Sequence, residues 1–402
     1  MKLFGKRRIY LDYASAPPVL PEAVRTMRET EELVGNPGAI HTEGVEAKKS
    51  LNGSRARIAA LLGCKARELV FTSGLTEAND LAIVGRARHL EFLRSDLKGP
   101  QGRTLEGTHW IVSSIEHDSV LECFSEVERL GGTITYVDSN EGGIITPESV
   151  VRALRPETVF VSVGWANNEL GTIQPLAKIA RCIREHEEKH KTTVVLHADA
   201  GQAPLYLPTL VTSLHVDLLS IGANKLYGPH GVGTLYISDR TQLAPIVLGG
   251  KQERGLRGGT ESVALAAGFA TSYEIVAQER EAESARLQKL RDELVRELTT
   301  RIPKLVVNGD LRRTLPHMLN ISIPDVQSEY IVLALDHAGI AISTKSACRE
   351  GEERVSHVVA VLGGEAWRAK NTFRFSLGRD TTKRGIRKAA ETLILILNNT
   401  PS

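Results

Sequence analysis

The feature that most constrains this chain is a regular alternation between Leu69 and Ile237, where short apolar runs are separated by stretches of helical periodicity. Leu69–Thr72, Trp110–Ile115, Thr133–Val137, Thr158–Gly164, Thr193–His197, Val216–Ile221 and Gly233–Ile237 read as strands. Helices are expected from about Thr76 to Leu93, from the Trp110–Ile115 strand through Glu128, and from Pro175 to about Lys189. Strands covered on both faces read as continuous apolar runs, and strand–helix alternation packs them into a mainly parallel sheet between helical layers. The last two strands read as a hairpin. The expected class is therefore α/β.

The pattern changes near Glu261. Ser262–Arg301 has helical periodicity and no strand, with Leu287, Leu290, Leu294 and Leu298 on one stripe. Short strands (Met318–Ile323, Ile340–Ser343, Thr372–Ser376) then alternate with helices (Tyr330–His337, Thr381–Asn398). A chain of 402 residues accommodates two domains. We expect a large domain over 15–260 and a smaller α+β C-terminal domain over 261–402, joined by the N-terminal segment 1–14. The polar stretch Arg94–Gly107 reads as a surface loop.

Composition narrows the partners. Fifty Lys+Arg against 48 Asp+Glu leave a formal charge of +2, which gives no electrostatic case for nucleic acid or an anionic membrane. Aromatic residues make up only 5%, against a stacking surface for single strands. No apolar run is long enough to span a bilayer, and the basic N-terminus lacks the apolar stretch of a signal peptide. Cys64, Cys123, Cys182 and Cys348 form no C-x-x-C pair and no disulfide framework, so a cytoplasmic protein is expected.

In open parallel sheets, ligands bind beyond the carboxyl ends of the strands. The first strand ends in Ser73-Gly74-Leu75-Thr76-Glu77, a turn into a helix whose unpaired N–H groups suit a phosphate. The following strands end in Glu116-His117, in Trp165-Ala166-Asn167-Asn168-Glu169, in Ala198-Asp199-Ala200-Gly201-Gln202, and in Gly222-Ala223-Asn224-Lys225. Each alone could be an ordinary loop. Together they put a phosphate cradle, an imidazole, an amide, a carboxylate and an amine on one rim. Pyridoxal phosphate needs that set: the lysine forms a Schiff base with its aldehyde, and the carboxylate keeps its pyridine nitrogen protonated.

The motifs Leu11-Asp12-Tyr13, Gly35-Asn36-Pro37, Phe71-Thr72-Ser73-Gly74-x-Thr76-Glu77, Glu116-His117, Asn167-Asn168-Glu169-x-Gly171, His197-x-Asp199-Ala200-x-Gln202, Lys225-x-Tyr227-Gly228-Pro229, Glu253-Arg254-Gly255-x-Arg257-x-Gly259-Thr260, Ser346-Ala347-Cys348 and Arg374-Phe375-Ser376-Leu377-Gly378-Arg379 occur in this order. As a set they resemble the pyridoxal-phosphate cysteine desulfurases of the class V aminotransferase group, and the Ser-Ala-Cys loop resembles the housekeeping iron–sulfur assembly branch. The resemblance implies a fold-type-I homodimer, with a mainly parallel seven-stranded sheet in the large domain. It implies that L-cysteine is converted to L-alanine, with the sulfur passed to Cys348 as a persulfide and then to an iron–sulfur scaffold or another acceptor protein.

The resemblance also implies roles. Lys225 would be the Schiff-base lysine and proton shuttle, Asp199 would pair with the pyridine nitrogen, and His117 would stack on the ring and assist proton transfer. Asn168 and Gln202 would reach the ring hydroxyl. Gly74, Leu75 and Thr76 would hold the phosphate beside Gly222 and Asn224, and Thr260 would arrive from the partner subunit. Asn36 and Arg374 would hold the substrate carboxylate, Arg374 through a bidentate fork. Cys348 has its own case: it sits between Lys345 and Arg349 in a stretch too polar for core, and neighbouring cations favour the thiolate. Cys64, Cys123 and Cys182 lie on apolar-periodic stretches and read as core.

Three places depart from the family pattern. Gly222-Ala223-Asn224 precedes the lysine where Ser-Gly-His is usual, so a hydroxyl and an imidazole expected at the phosphate are missing, and Asn224 offers one hydrogen bond instead. Ala16-Pro17-Pro18 stands for Thr-Thr-Pro, and Lys345 replaces a small residue. His186-Glu187-Glu188-Lys189-His190 matches the zinc-protease helix pattern H-E-x-x-H, but its charged neighbours read as a solvated helix end and no metal is expected. Gly228-x-x-Gly231-x-Gly233 is not a dinucleotide fingerprint, because no helix opens after it. Selenocysteine lyase uses the same lysine and cysteine and is the nearest alternative. A non-catalytic module that binds sulfur-transfer proteins is the alternative of another class, supported only by the changes at Gly222 and Asn224.

Overall fold

The computed structural model describes residues 2–3, 6–98, 104–344 and 355–399. Three two-residue strands open the chain: β1 (Lys2–Leu3), β2 (Lys6–Arg7) and β3 (Ile9–Tyr10). Two helices follow, α1 (Pro21–Glu31) and α2 (Thr42–Leu62). The alternating region comprises β4 (Leu69–Thr72), α3 (Leu75–Lys98), β5 (His109–Ser113), α4 (Asp118–Arg129), β6 (Thr133–Val137), α5 (Pro147–Ala153) and β7 (Thr158–Ser162). It continues through α6 (Leu176–His190), β8 (Val195–Asp199), α7 (Val211–Leu214), β9 (Leu218–Gly222) and β10 (Gly233–Ile237). After the long α8 (Val263–Arg301) come β11 (Val306–Val307), β12 (Met318–Ser322), α9 (Ser328–His337), β13 (Ile340–Ala341), α10 (His357–Val361), α11 (Trp367–Lys370), β14 (Thr372–Ser376) and α12 (Lys383–Asn399).

The large sheet has seven strands in the order β4-β10-β9-β8-β7-β5-β6. β6, β5, β7, β8 and β9 run parallel, and β10 lies antiparallel between β9 and β4. Gly233 at the start of β10 pairs with both Thr72 and Gly222, so the hairpin strand begins where its two neighbours end. That register brings the β4, β8 and β9 ends to one rim. β12 and β14 pair antiparallel in a second, three-stranded sheet, and β3 pairs parallel with β13. Asp12 also bridges to Ser376. The N-terminal segment thus threads back between the C-terminal strands and the rim.

Apart from its edge strand β6, the sheet is buried on both faces. Trp110, Phe124 and Phe160 form an aromatic cluster between β5, β7 and α4, with ring centroids 4.9 Å (Trp110–Phe160) and 6.3 Å (Trp110–Phe124) apart. The Trp110 indole N–H is satisfied by Thr108 Oγ1 at 3.0 Å. Truncating such a side chain to alanine costs about 3–5 kcal/mol. α8 packs its first half against α1 and α2 and its second half against α12; Leu287, Leu294 and Leu298 of the expected stripe are buried there.

Several expectations shift. α1, α2 and α5 are helices beyond those read from the sequence. β8 and β9 lie one to two residues later than expected, because Asp199 still pairs with Ser220 across the sheet. Arg94–Gly107 is not one surface loop: α3 continues to Lys98 and Leu105 is buried, while 99–103 lie outside the described residues. The H-E-x-x-H end of α6 is only partly solvated, since Glu187 accepts from the Val194 N–H at 2.7 Å and from Arg240. Among the described residues no His, Cys, Asp and Glu cluster could hold a metal, and no helix is long and apolar enough to cross a membrane.

Candidate active site

A cavity of about 490 Å³ opens on the rim where the strands end. Its phosphate-like end is the start of α3. Thr72 Oγ1 donates to the Gly74 carbonyl at 2.9 Å, and the Ser73 N–H donates to Glu77 Oε2 at 2.8 Å, which sets the turn into the helix. Arg257 neutralises Glu77 from the other side, Nε to Oε1 at 3.0 Å. The first N–H groups of α3 have no acceptor within the helix and carry its positive dipole end. The turn is pressed onto the sheet. A Cβ at Gly233 would stand 2.7 Å from the Gly74 carbonyl carbon, so only glycine fits there.

Asp199, at the end of β8, accepts from the Gly201 N–H at 2.7 Å and from Asn79 Nδ2 at 2.7 Å. The turn after β9 brings in Lys225, whose Nζ donates to the carbonyls of Ala14 at 2.9 Å and Ser15 at 2.7 Å. Gln202 Nε2 donates to the same Ala14 carbonyl at 3.0 Å. After β5, His117 caps α4: the Ser119 N–H donates to its Nδ1 at 3.1 Å. Glu116 beside it is buried and accepts from the Gly164 N–H at 2.7 Å. Burial, reinforced by the nearby Asp199 charge and only partly offset by that hydrogen bond, pushes the Glu116 carboxyl up to about 8.

Arg374 reaches the cavity from β14. Its Nη2 donates to Asp12 Oδ1 at 2.7 Å and Ser15 Oγ at 2.6 Å, and its Nη1 donates to the Asn168 carbonyl at 2.8 Å. Asn167 is a structural neighbour: Nδ2 donates to the Ile115 carbonyl at 2.7 Å, while Oδ1 accepts from the N–H groups of Glu169 and Leu170.

Of the residues singled out from the sequence, Gly74, Leu75, Thr76, His117, Asn168, Asp199, Gln202, Asn224, Lys225 and Arg374 line this one cavity. Gly222 does not line it but backs it, where a Cβ would come within 3.0 Å of Leu75 Cβ and 2.8 Å of Asn224 Oδ1. Asn36 and Thr260 are exposed and do not line the cavity of their own chain. Cys348, with Lys345, Ser346, Ala347 and Arg349, lies outside the described residues. The three described cysteines are poor thiolates. Burial pushes Cys64 up to about 12, raises Cys182, and drives Cys123 higher still, with Asp80 accepting from its Sγ at 3.0 Å. Asp12, Ser15, Asn79, Glu116 and Ser119 take part in the site without having been assigned roles from sequence. Asp12 and Glu116 lie in the motifs Leu11-Asp12-Tyr13 and Glu116-His117, and Asn79 is a buried polar residue on the apolar stripe of Ala78, Leu81 and Ala82.

The donor set fits pyridoxal phosphate. Free helix N–H groups suit a phosphate, an amine stands inside the cavity on two carbonyl oxygens, and a carboxylate at a neighbouring strand end faces it with neutral partners.

The class-V aminotransferase profile matches residues 9–388. Cysteine desulfurase IscS of Dictyoglomus turgidum is 37% identical over 393 residues, spanning 98% of this chain and 95% of the relative. Putative cysteine desulfurase IscS 1 of Bacillus subtilis is 37% identical over 96% of this chain and 97% of its own length. Among solved structures, a NifS-like protein superposes with a TM-score of 0.86 at 29% identity, covering 98% of this chain and all of that one. SspA in complex with cysteine superposes with a TM-score of 0.77 at 31% identity, covering 92% of this chain and 98% of that one.

Proposed function

Because this chain belongs to the class-V aminotransferase family and has its fold-type-I architecture, we propose that it is a pyridoxal-phosphate-dependent cysteine desulfurase. It takes L-cysteine to L-alanine and receives the sulfur on Cys348 as a persulfide. The observation that carries the reading is the convergence of Lys225, Asp199, His117, Arg374 and the α3 N-terminus on one cavity. The shared name of the relatives supplies the substrate.

Bound pyridoxal phosphate would supply an electron sink for negative charge at the substrate α-carbon. The chain's residues do the rest. The first turn of α3, with Thr76 and Asn224, holds the phosphate, and Asp199 holds a proton on the ring nitrogen. Lys225, positioned by the Ala14 and Ser15 carbonyls, moves the proton at the substrate α-carbon. Arg374 orients the substrate carboxylate. The Cys348 thiolate attacks the substrate sulfur: the S–S bond forms, the Cβ–S bond breaks with its electron pair left toward Cβ, a proton delivered to Cβ makes the methyl group, and a proton returned to the α-carbon by Lys225 completes alanine.

We read the working molecule as a cytoplasmic homodimer that delivers persulfide sulfur to an iron–sulfur scaffold or another acceptor protein. The dimer is supported by Thr260, which is exposed on its own chain, and by the exposed Val34, Ile40 and Leu248. The test incubates purified protein with L-cysteine, pyridoxal phosphate and a reducing thiol, and measures sulfide and alanine beside Cys348→Ala. Equal amounts of both, lost in the variant, support the reading. Sulfide and alanine persisting in the variant would remove Cys348 as nucleophile, and cofactor-loaded protein without turnover would remove L-cysteine.

A further inference from the structure

The imidazole and the carboxylate of the site are tied together by two residues with no role in the scheme above. Asn79 is fully buried on α3, and its Nδ2 donates to Asp199 Oδ2 at 2.7 Å and to Ser119 Oγ at 3.0 Å. Ser119 Oγ stands 2.9 Å from His117 Nδ1, and the Ser119 N–H donates to the same nitrogen at 3.1 Å.

The donor inventory fixes the direction of each bond. A carboxylate only accepts, so the nitrogen of the Asn79 amide must face Asp199, and the same nitrogen faces Ser119. A hydroxyl that accepts there has its one proton left for His117. The lone pair of Nδ1 therefore meets two donors, and the neutral ring carries its proton on Nε2. The opposite amide orientation would set Oδ1 against the Asp199 carboxylate. In the observed orientation Oδ1 of Asn79 is buried with no partner. An unpaired buried oxygen is costly, so the amide is held by the charge-assisted bond to Asp199.

We propose that Ser119 and Asn79 are positioning residues that hold His117 as the neutral Nε2–H tautomer and tie its orientation to Asp199. The proposal rests on the reading of the cavity as a pyridoxal-phosphate site, and it amends the expectation that His117 assists proton transfer. The ring acts as a hydrogen-bond donor through Nε2, and the proton at the substrate α-carbon is left to Lys225.

The test is nitrogen-15 NMR of histidine-labelled protein near neutral pH, with and without pyridoxal phosphate, the His117 signals being assigned with His117→Gln. The remaining histidines report that each variant is folded. In the wild type, Nδ1 should resonate as an acceptor and Nε2 as protonated. Ser119→Ala and Asn79→Ala should move the Nδ1 signal and lower kcat about tenfold, one hydrogen bond's worth, with KM little changed. Ser119→Thr, which keeps the hydroxyl, should restore both. A wild-type ring that is Nδ1–H or doubly protonated overturns the proposal, as does a Ser119→Ala ring indistinguishable from wild type. Protein that fails to turn over L-cysteine would defeat the proposed activity, while the spectrum without cofactor still decides the tautomer.

Discussion

The Arg374 guanidinium donates to the Asp12 carboxylate at 2.7 Å, joining the N-terminal segment to β14 beside the cavity that Arg374 lines. Arg374 is almost fully buried, whereas the Asp12 side chain is 21% exposed. The bond does two things at once. It gives the cation its one carboxylate partner among the described residues, and it aims the guanidinium that we propose for the substrate carboxylate.

Removing one partner of such a pair leaves the other charge uncompensated. Asp12→Ala should lower unfolding free energy by about 2–3 kcal/mol, less than for a wholly buried pair because Asp12 keeps some water. It should also raise KM for L-cysteine about tenfold with a smaller effect on kcat, since the lost orientation concerns binding. Asp12→Asn keeps an acceptor oxygen and should lose less on both counts. Urea unfolding and steady-state kinetics check this; an unchanged KM in Asp12→Ala would break the link between Asp12 and the substrate carboxylate.

Much of this site was legible because a parallel sheet delivers its strand ends to one edge. Glu116-His117, Asp199 and Lys225 each follow an apolar run, so reading the residue after each run found them. What stayed hidden depends on contacts between distant segments. Asp12 meets Arg374 only because β3 pairs with β13 while Asp12 bridges to Ser376. Ser119 reads as an ordinary first-turn residue until Asn79 is seen to reach it from α3. α2 escaped because its stripe is built of Ala47, Leu51, Ser54 and Ile58, weaker than the strand runs beside it. Asn36, expected at the substrate carboxylate, and Thr260, expected to serve a partner subunit, both stand apart from the cavity of their own chain.

Glu116 should give stability an alkaline liability. Its carboxyl is near 8 in the folded protein against an ordinary value of 4.5, so between those values the folded state keeps a proton that the unfolded state has released. Stability therefore falls as pH rises through this window, by a few kcal/mol in total. Glu116→Gln removes the titration. The stability of the variant relative to wild type should rise from pH ~5 to pH ~8 by that amount, measured by urea unfolding at both ends. Parallel curves would mean that Glu116 is already ionised in the fold.

His317 should give an acid liability of opposite sign. Burial, helped by the charges of Arg374 and Arg291, lowers its imidazole to about 3 from 6.5, and neither ring nitrogen has a hydrogen-bond partner. The unfolded chain takes up a proton that the folded state refuses. The stability that His317 contributes is thus present above 6.5 and lost as pH falls toward 3. The ring packs against Tyr206, tilted by 31° with centroids 4.3 Å apart, so His317→Phe keeps an aromatic partner and removes two unpaired nitrogens. Its stability near neutral pH should match or exceed wild type, and its unfolding midpoint should fall less steeply on acidification. A loss of more than about 3 kcal/mol at neutral pH would instead point to overpacking at this position.

Lys225 offers the most direct check on the cofactor. Its Nζ rests on the Ala14 and Ser15 carbonyls, a neutral cradle from which a covalent bond to the pyridoxal aldehyde would withdraw it. Borohydride reduction of cofactor-loaded wild type should fix pyridoxal phosphate to the peptide that carries Lys225, read by mass spectrometry. Lys225→Ala should show no fixation, lose most of its cofactor on gel filtration, and fall at least a thousandfold in turnover, since the covalent anchor and the base are lost together. Lys225→Arg keeps the charge on the carbonyl cradle but cannot form the bond, so it should fold like wild type and remain inactive. Fixation on a different lysine would move the active-site amine elsewhere, and the roles assigned to Asp199 and His117 would fall with it.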